Sequence, residues 1–315
     1  MPIAVGTPNA MALRAGLCCL GGADRLSRRV MSVTSHLQPS DHAVLDLSAN
    51  QSWADRHRAA WLDVREGVGQ WRRVWTLAWL DIRLRYRGSM LGPFWLTIST
   101  GAMVAAMGVL YAVLFRLELR DYIPFLALSL VLWNFIGALV GDACTAFKTN
   151  EGMIRSVRMP FTLYAGRIVV RNVVVLGHNA VVVVVVNLLL WSWPGSTALF
   201  ALPGLFLWLV NALALSLLLG AVCARLHDIA PIVASVMQMA FFVSAVIWKP
   251  DQLGEQEWAL AFNPFFSLLE IVRGPLMGTI PSNLIIFCAL GYSAVLCIVT
   301  WFVFARVRGR IAFWL

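Results

Sequence analysis

The sequence predicts an all-α membrane protein: a polytopic bundle of about six transmembrane helices, with an amphipathic interface helix before the first span and a re-entrant segment between the fifth and sixth. Of the 315 residues, 60% are hydrophobic and 13% are charged, and the mean hydropathy is +0.75. Soluble domains average about 25% charged residues. The apolar residues also occur in runs of span length, and basic residues flank these runs alternately. Most of the chain is therefore expected to face lipid.

The amino-terminal residues differ in composition from the rest of the chain. Residues 1–70 are polar and irregular, and the weakly apolar stretch 11–20 is interrupted by Arg14. That stretch lacks the uninterrupted apolar core of a signal peptide. We expect residues 1–70 to form a polar, disordered cytoplasmic tail and residues 71–315 to form the transmembrane domain.

Six apolar runs are long enough to cross a bilayer, which takes about 20 residues of helix. We place the spans at residues 93–115, 123–141, 168–191, 198–223, 229–248 and 283–305. The third span includes the valines 181–186, which alone would suit a strand. The apolar run around them is too long for one.

Basic residues orient the predicted bundle. Arginine and lysine are concentrated before the first span, between the second and third, and after the fourth and sixth, whereas carboxylates offset the few basic residues on the other side. Because cytoplasmic loops carry the excess of Lys and Arg, both termini are expected on the cytoplasmic side of the inner (cell) membrane. The net charge of +9 has the same origin, so no nucleic-acid partner is expected.

The sequence carries no recognisable catalytic or metal site. A GxxxxGK[ST] phosphate loop and the GxSxG and HExxH patterns are missing, and the six cysteines lack CxxC or metal-ligand spacing. His36 and Asp41 have the HxxxxD spacing of some acyltransferases but lie in the polar tail. We therefore expect no catalytic residue, no metal ligand and no cofactor on this chain.

Residues 71–87 predict a basic, tryptophan-rich amphipathic helix. Tryptophan and aliphatic residues recur at helical spacing from Trp71 to Ile82, and arginines occupy much of the remaining circumference. Such a helix suits the membrane interface, and a solvated helix is the alternative. The candidate interface residues are Trp75, Trp79, Arg83, Arg85, Tyr86 and Arg87.

The cytoplasmic loop 142–167 is longer than a helical hairpin needs. Its centre mixes acidic, basic and apolar residues, a composition that suits docking onto a soluble partner rather than lipid. A plain charged connector is the alternative. The candidate docking residues are Asn150, Glu151, Gly152, Met153, Ile154, Arg155 and Arg158.

The outer segment 249–281 contains an apolar stretch that is too short to cross the membrane. Pro264 suits a first helical turn, and Gly274 followed by Pro275 predicts a stop. Irregular backbone at membrane depth persists only where protein or a water-filled cavity covers it, so this segment is expected to line or cap a path. Its candidate residues are Asn263, Pro264, Phe265, Phe266, Glu270 and Arg273.

Polar and aromatic residues within the spans are candidates for that path. Arg171 and His178 share a face of the third span and are expected to face a hydrated path or an acidic partner such as Asp142. Arg167, at the membrane edge, is expected to reach the headgroups. Aromatic residues toward the outer half form either an interfacial belt or a pore lining. The path candidates are Tyr111, Phe115, Trp133, Arg171, His178 and Trp248.

Four stretches resemble the permease subunits of ABC type-2 exporters, in the branch that exports O-antigen, capsular polysaccharide or teichoic acid. In residues 81–95, RYRGSMLGPFW is similar to the family's RYrxSxLGPxW, and residues 150–160 resemble its coupling loop. ARLHDI at 224–229 is similar to A-R-aromatic-R-D-I, and residues 263–278 resemble NPxxxxxExxRxPLxG. Gly88 and the pair Leu226-His227 depart from these patterns.

The resemblance implies that two copies of the chain form a pore and that two copies of a separate ABC ATPase, holding ATP and Mg²⁺, dock on its cytoplasmic loops. Arg225 and Asp228 would then join the ATPase-coupling residues, the interface helix would flank the entrance, and the outer segment would be the periplasmic gate. The substrate implied is a lipid-linked glycan, and this chain would not itself be an enzyme. The alternatives are a type-2 ABC drug or small-lipid efflux permease and, outside transport, a membrane enzyme or glycosyltransferase scaffold.

Overall fold

The computed structural model describes residues 52–90, 92 and 94–315, and all regular elements of this part are helical. The helices are α1 (Trp53–Gly69), α2 (Trp71–Arg85), α3 (Phe94–Phe115), α4 (Leu119–Cys144), α5 (Glu151–Ser156), α6 (Phe161–Leu190), α7 (Ala201–Arg225), α8 (Ile229–Val243), α9 (Pro264–Leu276), α10 (Asn283–Val307) and α11 (Ile311–Trp314). Short 3₁₀ segments connect some of them, at Lys148–Asn150, Ser196–Phe200, Pro250–Phe262 and Arg308–Arg310. The predicted helix bundle is confirmed.

Five helices of the described part are long and apolar enough to cross a membrane: α3, α4, α6, α7 and α10. The chain is therefore a multi-pass membrane protein. Two of these helices begin before the predicted spans, α4 at Leu119 rather than 123 and α6 at Phe161 rather than 168. Polar residues in these first turns ended the apolar runs in the sequence, but they are compatible with helix.

The predicted fifth span, 229–248, is wrong in its last five residues, because the helix ends at Val243. Helix α8 has 15 residues, which at about 1.5 Å each is shorter than the roughly 30 Å hydrocarbon core. The chain turns at Ala245, whose φ is +48°, and residues 244–247 are buried as irregular backbone. Apolar composition alone did not distinguish this buried turn from a continuing helix.

The prediction of a disordered tail is wrong for residues 53–69, which form α1. The helix packs against α6 and α10, and it buries Ala60, Asp63 and Gly67 on one face. Its stability comes from these tertiary contacts rather than from an apolar stripe, so the polar composition concealed it. The remainder of the predicted tail, 1–51, lies outside the described residues.

Helix α4 is the centre of the bundle. It packs against α3, α6, α7, α8 and α9, and most of its side chains are buried. In contrast, α3 and α10 bury few residues within the described chain and expose long apolar side chains, as lipid-facing helices do. Helix α4 thus contacts the helices on both sides of it, including α9 of the predicted outer segment.

Candidate functional site

The amphipathic helix α2 lies against α6 with one apolar face and turns its tryptophans outward. Val74, Ala78 and Ile82 are buried, and Gly166 of α6 leaves room for Val74. The exposed tryptophans are Trp71, Trp75 and Trp79. The sequence placed the tryptophan and aliphatic residues on one face of the helix. In the structure they form two sets, because the aliphatic residues contact α6 and the tryptophans face outward. Arginines lie over two of the rings, at 5.8 Å in each case, an arrangement typical of the membrane interface.

A cluster of charged residues joins α2, α4 and α6 at the end of the bundle where the predicted cytoplasmic loop 142–167 begins. Arg167 of α6 forms a two-nitrogen ion pair with Asp81 of α2, and its Nη1 donates to Asn150 Oδ1 at 2.8 Å. Arg171 lies 2.7 Å from Asp142 of α4 and 3.5 Å from Asp81. Helix α2, two spans and the start of the cytoplasmic loop thus share one network, which we call the inner charge cluster.

Two further side chains complete the inner charge cluster, and Tyr86 follows one of them in the chain. Asn172 donates to Asp142 at 2.8 Å, and Arg85 lies 3.7 Å from the same carboxylate. Burial raises the pKa of Tyr86, although the neighbouring Arg85 acts in the opposite direction. Each aspartate of the cluster therefore has more than one partner, as partly buried carboxylates require.

The expectations for Arg167, Arg171 and His178 have different outcomes. Arg167 pairs with Asp81 instead of extending to the headgroups, because α2 brings a carboxylate to it. Arg171 has Asp142 as its acidic partner, as expected. His178 does not share that partner: its Nδ1 lies 2.8 Å from the carbonyl oxygen of Val174, and its ring meets Phe94 edge to face.

The predicted coupling loop consists of a 3₁₀ turn, the short helix α5 and an extended linker to α6. Asn150 donates to the carbonyl of Ala146 at 2.7 Å, and Glu151 pairs with Arg155 at 3.0 Å. Met153 and Ile154 pack against the protein core, whereas Gly152 and Arg155 are exposed. The loop therefore has one anchored face and one open polar face.

The second predicted coupling loop follows α7. Arg225 is the last residue of α7, and its guanidinium carbon lies 5.3 Å from the ring centre of Trp314 near the end of the chain. Asp228 precedes α8 and is exposed. Helix α11 contacts both α5 and α7, so the structure brings the surroundings of the two loops together.

Sequence reasoning missed Asp63 of α1, whose side chain is 0% exposed. Its carboxylate accepts hydrogen bonds from the backbone N–H of Phe161 and Thr162 and from the Thr162 hydroxyl, at 2.8–3.1 Å. It also pairs with Arg308 at 2.8 Å. The available signal was the spacing of Asp63 between Ala60 and Gly67, which puts a carboxylate on the small-residue face of a helix.

The helix predicted within the outer segment is present as α9, after the 3₁₀ stretch Pro250–Phe262. The Asn263 side chain accepts from the N–H of Phe265 at 3.0 Å and caps α9, and Pro264 occupies the first turn. The predicted stop at Gly274 is two residues early, because α9 continues through Pro275 to Leu276. A proline so close to a helix end removes few hydrogen bonds, and helix ends vary by one or two residues.

Arg273 anchors the outer segment and is 1% exposed. It lies 2.6 Å from Glu270, and its Nη1 donates to the carbonyl of Ala245 at 2.6 Å and to the Ser129 hydroxyl at 3.0 Å. The guanidinium carbon also lies 4.7 Å from the ring centre of Phe125. One side chain thus connects α9 to α4 and to the turn after α8, beside a cavity of ≈ 580 Å³.

The aromatic path candidates separate into groups. Trp133 of α4 meets Phe241 of α8 and Phe265 of α9, with ring centres 5.8 and 5.9 Å apart. Tyr111 and Phe115 stack on each other within α3, at 5.6 Å. The Trp248 indole donates to the carbonyl of Phe242 at 2.9 Å. The structure thus brings Trp133 together with Phe265 of the outer segment. That the six path candidates line a pore remains a prediction.

Comparison with known proteins identifies the family. Residues 72–277 match the family model of the ABC-2 type transporter, and this range includes the inner charge cluster and Arg273. The chain is 23% identical over 197 residues to the O-antigen export system permease protein RfbA of Myxococcus xanthus, covering 62% of this chain and 76% of the relative. It is 20% identical over 199 residues to the protein of the same name from Klebsiella pneumoniae, covering 60% and 74%. The chain therefore belongs to the ABC-2 type transporter family, whose membrane components are permeases that work with an ABC ATPase.

Proposed function

We propose that the chain is the membrane-spanning permease subunit of an ATP-driven exporter that moves a lipid-linked polysaccharide across the inner membrane. The observation that carries this proposal is the similarity to two O-antigen export permeases over 76% and 74% of their length. ATP and Mg²⁺ would bind to the partner ATPase, since this sequence has no phosphate-binding loop. Both termini would lie in the cytoplasm, with the arginine-rich flanks.

The surface of α8 supports the proposal that a second copy of the chain completes the pore. Within the described residues, α8 buries none of its side chains, and it is too short to cross the membrane. One face is apolar, with Ile232, Val236, Met239 and Val243 exposed, but Ser235 and Gln238 are exposed as well. A bare amide in hydrocarbon is costly, so this helix suits a protein interface or a hydrated path better than lipid.

The cytoplasmic side supports the proposed entrance and docking surfaces. The tryptophan face of α2 would lie at the interface beside the entrance, and two ATPase copies would dock on the polar face of residues 150–158 and on residues 225–228. The inner charge cluster connects these regions through Arg167, which contacts both Asp81 and Asn150. On the outer side, α9 with its Arg273 anchor would be the gate.

Deletion of the gene, with complementation by the intact chain, tests the proposal. We expect surface polysaccharide to be lost and lipid-linked polysaccharide to accumulate inside the cell, with both reversed by the intact gene. Complementation by a chain that carries Gly137→Ala provides a matched control, since a methyl group at this glycine meets no atom within 4 Å among the described residues. Unchanged surface polysaccharide with altered drug sensitivity would instead support the drug or small-lipid efflux alternative.

A further inference from the structure

The end of the chain contacts both cytoplasmic loops that we propose to meet the ATPase. Residues 308–314 form a 3₁₀ turn followed by α11, which packs against α5 of the first loop and against α7 before the second. Ile311, the first residue of α11, is 0% exposed and belongs to the hydrophobic core. This segment, which we call the C-terminal brace, lies outside the matched family range of 72–277.

The brace holds the second loop through an aromatic contact. The ring centre of Trp314 lies 5.3 Å from the guanidinium carbon of Arg225, the last residue of α7. A guanidinium over an indole face is attracted by the ring electrons and loses little hydration. Arg225 is therefore held by the brace at the point where α7 ends and the loop begins.

The other end of the brace holds the exit of the first loop. Arg308 pairs with Asp63 at 2.8 Å, and the same carboxylate accepts from the N–H groups of Phe161 and Thr162. Free N–H groups and the helix dipole favour a negative charge at the amino end of a helix, so Asp63 binds both α6 and the cation. Phe161 is the first residue of α6 and lies directly after the linker from α5.

The residues around Asp63 are closely packed. A methyl group at Gly67 of α1 would lie 2.6 Å from the Thr162 Cβ, so α1 lies directly against the start of α6. The Asp63 carboxylate has four polar partners in the structure, which is the condition for keeping a buried charge. The linker 157–160 beside it, in contrast, is not part of any helix.

We propose that the C-terminal brace couples the two cytoplasmic loops, so that movement imposed by the ATPase on one loop displaces the other and the spans attached to it. Trp314 and Arg308 are its positioning residues. A loop joined to its helices only by a linker would absorb such movement by rotation about its backbone bonds. A closely packed segment such as the C-terminal brace, which contacts both loops, transmits the movement instead. The inference rests on the proposed function, because it assumes that the ATPase docks on these loops.

The test uses the full chain in complex with its ABC ATPase in membrane vesicles. Trp314→Ala and Arg308→Ala are compared with the native complex for ATP hydrolysis and for polysaccharide exported per ATP hydrolysed. We expect hydrolysis within about twofold of native and export per ATP lowered about tenfold, which corresponds to roughly 1.4 kcal/mol of coupling. Trp314→Phe retains a ring against Arg225 and is expected to restore most of the export. Arg310→Ala is the matched control, because Arg310 makes no ion pair or ring contact with the residues that the structure describes.

A second readout does not depend on the substrate. Hydrogen–deuterium exchange of residues 151–158 and 225–228 is measured with and without ATP and vanadate. In the native complex we expect ATP to change exchange in both loops, and in the two alanine variants we expect a change in one loop alone. A native complex in which neither loop responds, or which exports nothing, contradicts the proposed function rather than the brace.

Two results would overturn the brace itself. In the first, both alanine variants export as much per ATP as the native complex, and both loops respond to ATP. In the second, hydrolysis, export and the amount of assembled complex fall in the same proportion, which assigns these residues a merely structural role.

Discussion

The two ends of the bundle hold their buried arginines in different ways. In the inner charge cluster, Arg167 and Arg171 share Asp81, and Arg171 also has Asp142. At the outer end, Glu270 is the single carboxylate paired with Arg273 among the described residues, and the other contacts are a hydroxyl, a carbonyl and aromatic rings. The inner arginines are 14–15% exposed, whereas Arg273 is 1% exposed.

This difference predicts how each end responds to a lost partner. In the inner cluster, a charge that loses one partner retains another and has water nearby, so re-pairing is possible. At the outer end, loss of the cation leaves a carboxylate and a carbonyl without their donor. We therefore expect the inner charge cluster to tolerate the loss of one partner better than the contacts of Arg273 do.

The largest expected effect is that of Arg273→Met. The substitution preserves much of the side-chain volume but removes the partner of Glu270, and breaking a buried pair typically costs about 3–5 kcal/mol. The purified chain in detergent should therefore unfold at a distinctly lower temperature than native. Arg116→Met is the control, because Arg116 is an exposed arginine in the connection between α3 and α4, at the same end of the bundle as Arg273. This substitution should leave the melting temperature unchanged. Equal melting temperatures for the two variants would show that Arg273 is not the anchor.

The next effect compares close helix contacts at the two ends. A methyl group at Gly204 of α7 would lie 2.8 Å from the carbonyl oxygen of Ile271 in α9, whereas one at Gly220 would lie 3.0 Å from the ring of Phe147. The carbonyl is part of the α9 backbone and lies within a distance that forces a shift of the helix, whereas Phe147 and the Ala146 Cβ, at 3.1 Å, have to move by only a few tenths of an ångström. Gly204→Ala should therefore cost about 1–3 kcal/mol and Gly220→Ala less. The order of the two melting temperatures is the measurement, and the reverse order would contradict it.

An effect of about the same size as that of Gly204→Ala is expected from Asp81→Asn in the inner charge cluster. Arg167 loses its carboxylate but keeps Asn150, and Arg171 keeps Asp142. We expect a loss of about 1.5–3 kcal/mol, the range for hydrogen bonds to charged groups, with values nearer the lower end because water reaches the cluster. In a double-mutant cycle with Arg167→Gln, the combined loss should be smaller than the sum. Strict additivity would show that the two residues do not interact in solution.

The sequence alone predicted what depends on local pattern. Long apolar runs identified the five spanning helices, and the capping residue Asn263 with Pro264 identified the start of α9. In each case the signal lies within one helix length. The resemblance of short loop patterns also gave the family, which the match over residues 72–277 confirms.

What the sequence did not predict depends on partners far along the chain. Helix α1 is stabilised through Asp63, whose partners are Thr162 and Arg308. Arg167 is paired because α2 brings Asp81 to it, and the chain turns at Ala245, where Arg273 binds the carbonyl. Periodicity within a segment carries no information about such contacts, so of the ion pairs at both ends only that of Arg171 with Asp142 was expected from the sequence.

The smallest expected effect on stability is that of Glu151→Gln in the first coupling loop. Glu151 and Arg155 are an exposed pair one helical turn apart, and such pairs contribute about 0.3–0.5 kcal/mol. The melting temperature of the chain should therefore hardly change. If residues 150–158 receive the ATPase, however, the affinity of the ATPase for the chain should fall severalfold at low salt and approach the native value at high salt. An affinity that is unchanged at every salt concentration would show that Glu151 is not part of the docking surface. The difference between the two ends of the bundle would then concern the buried arginines alone.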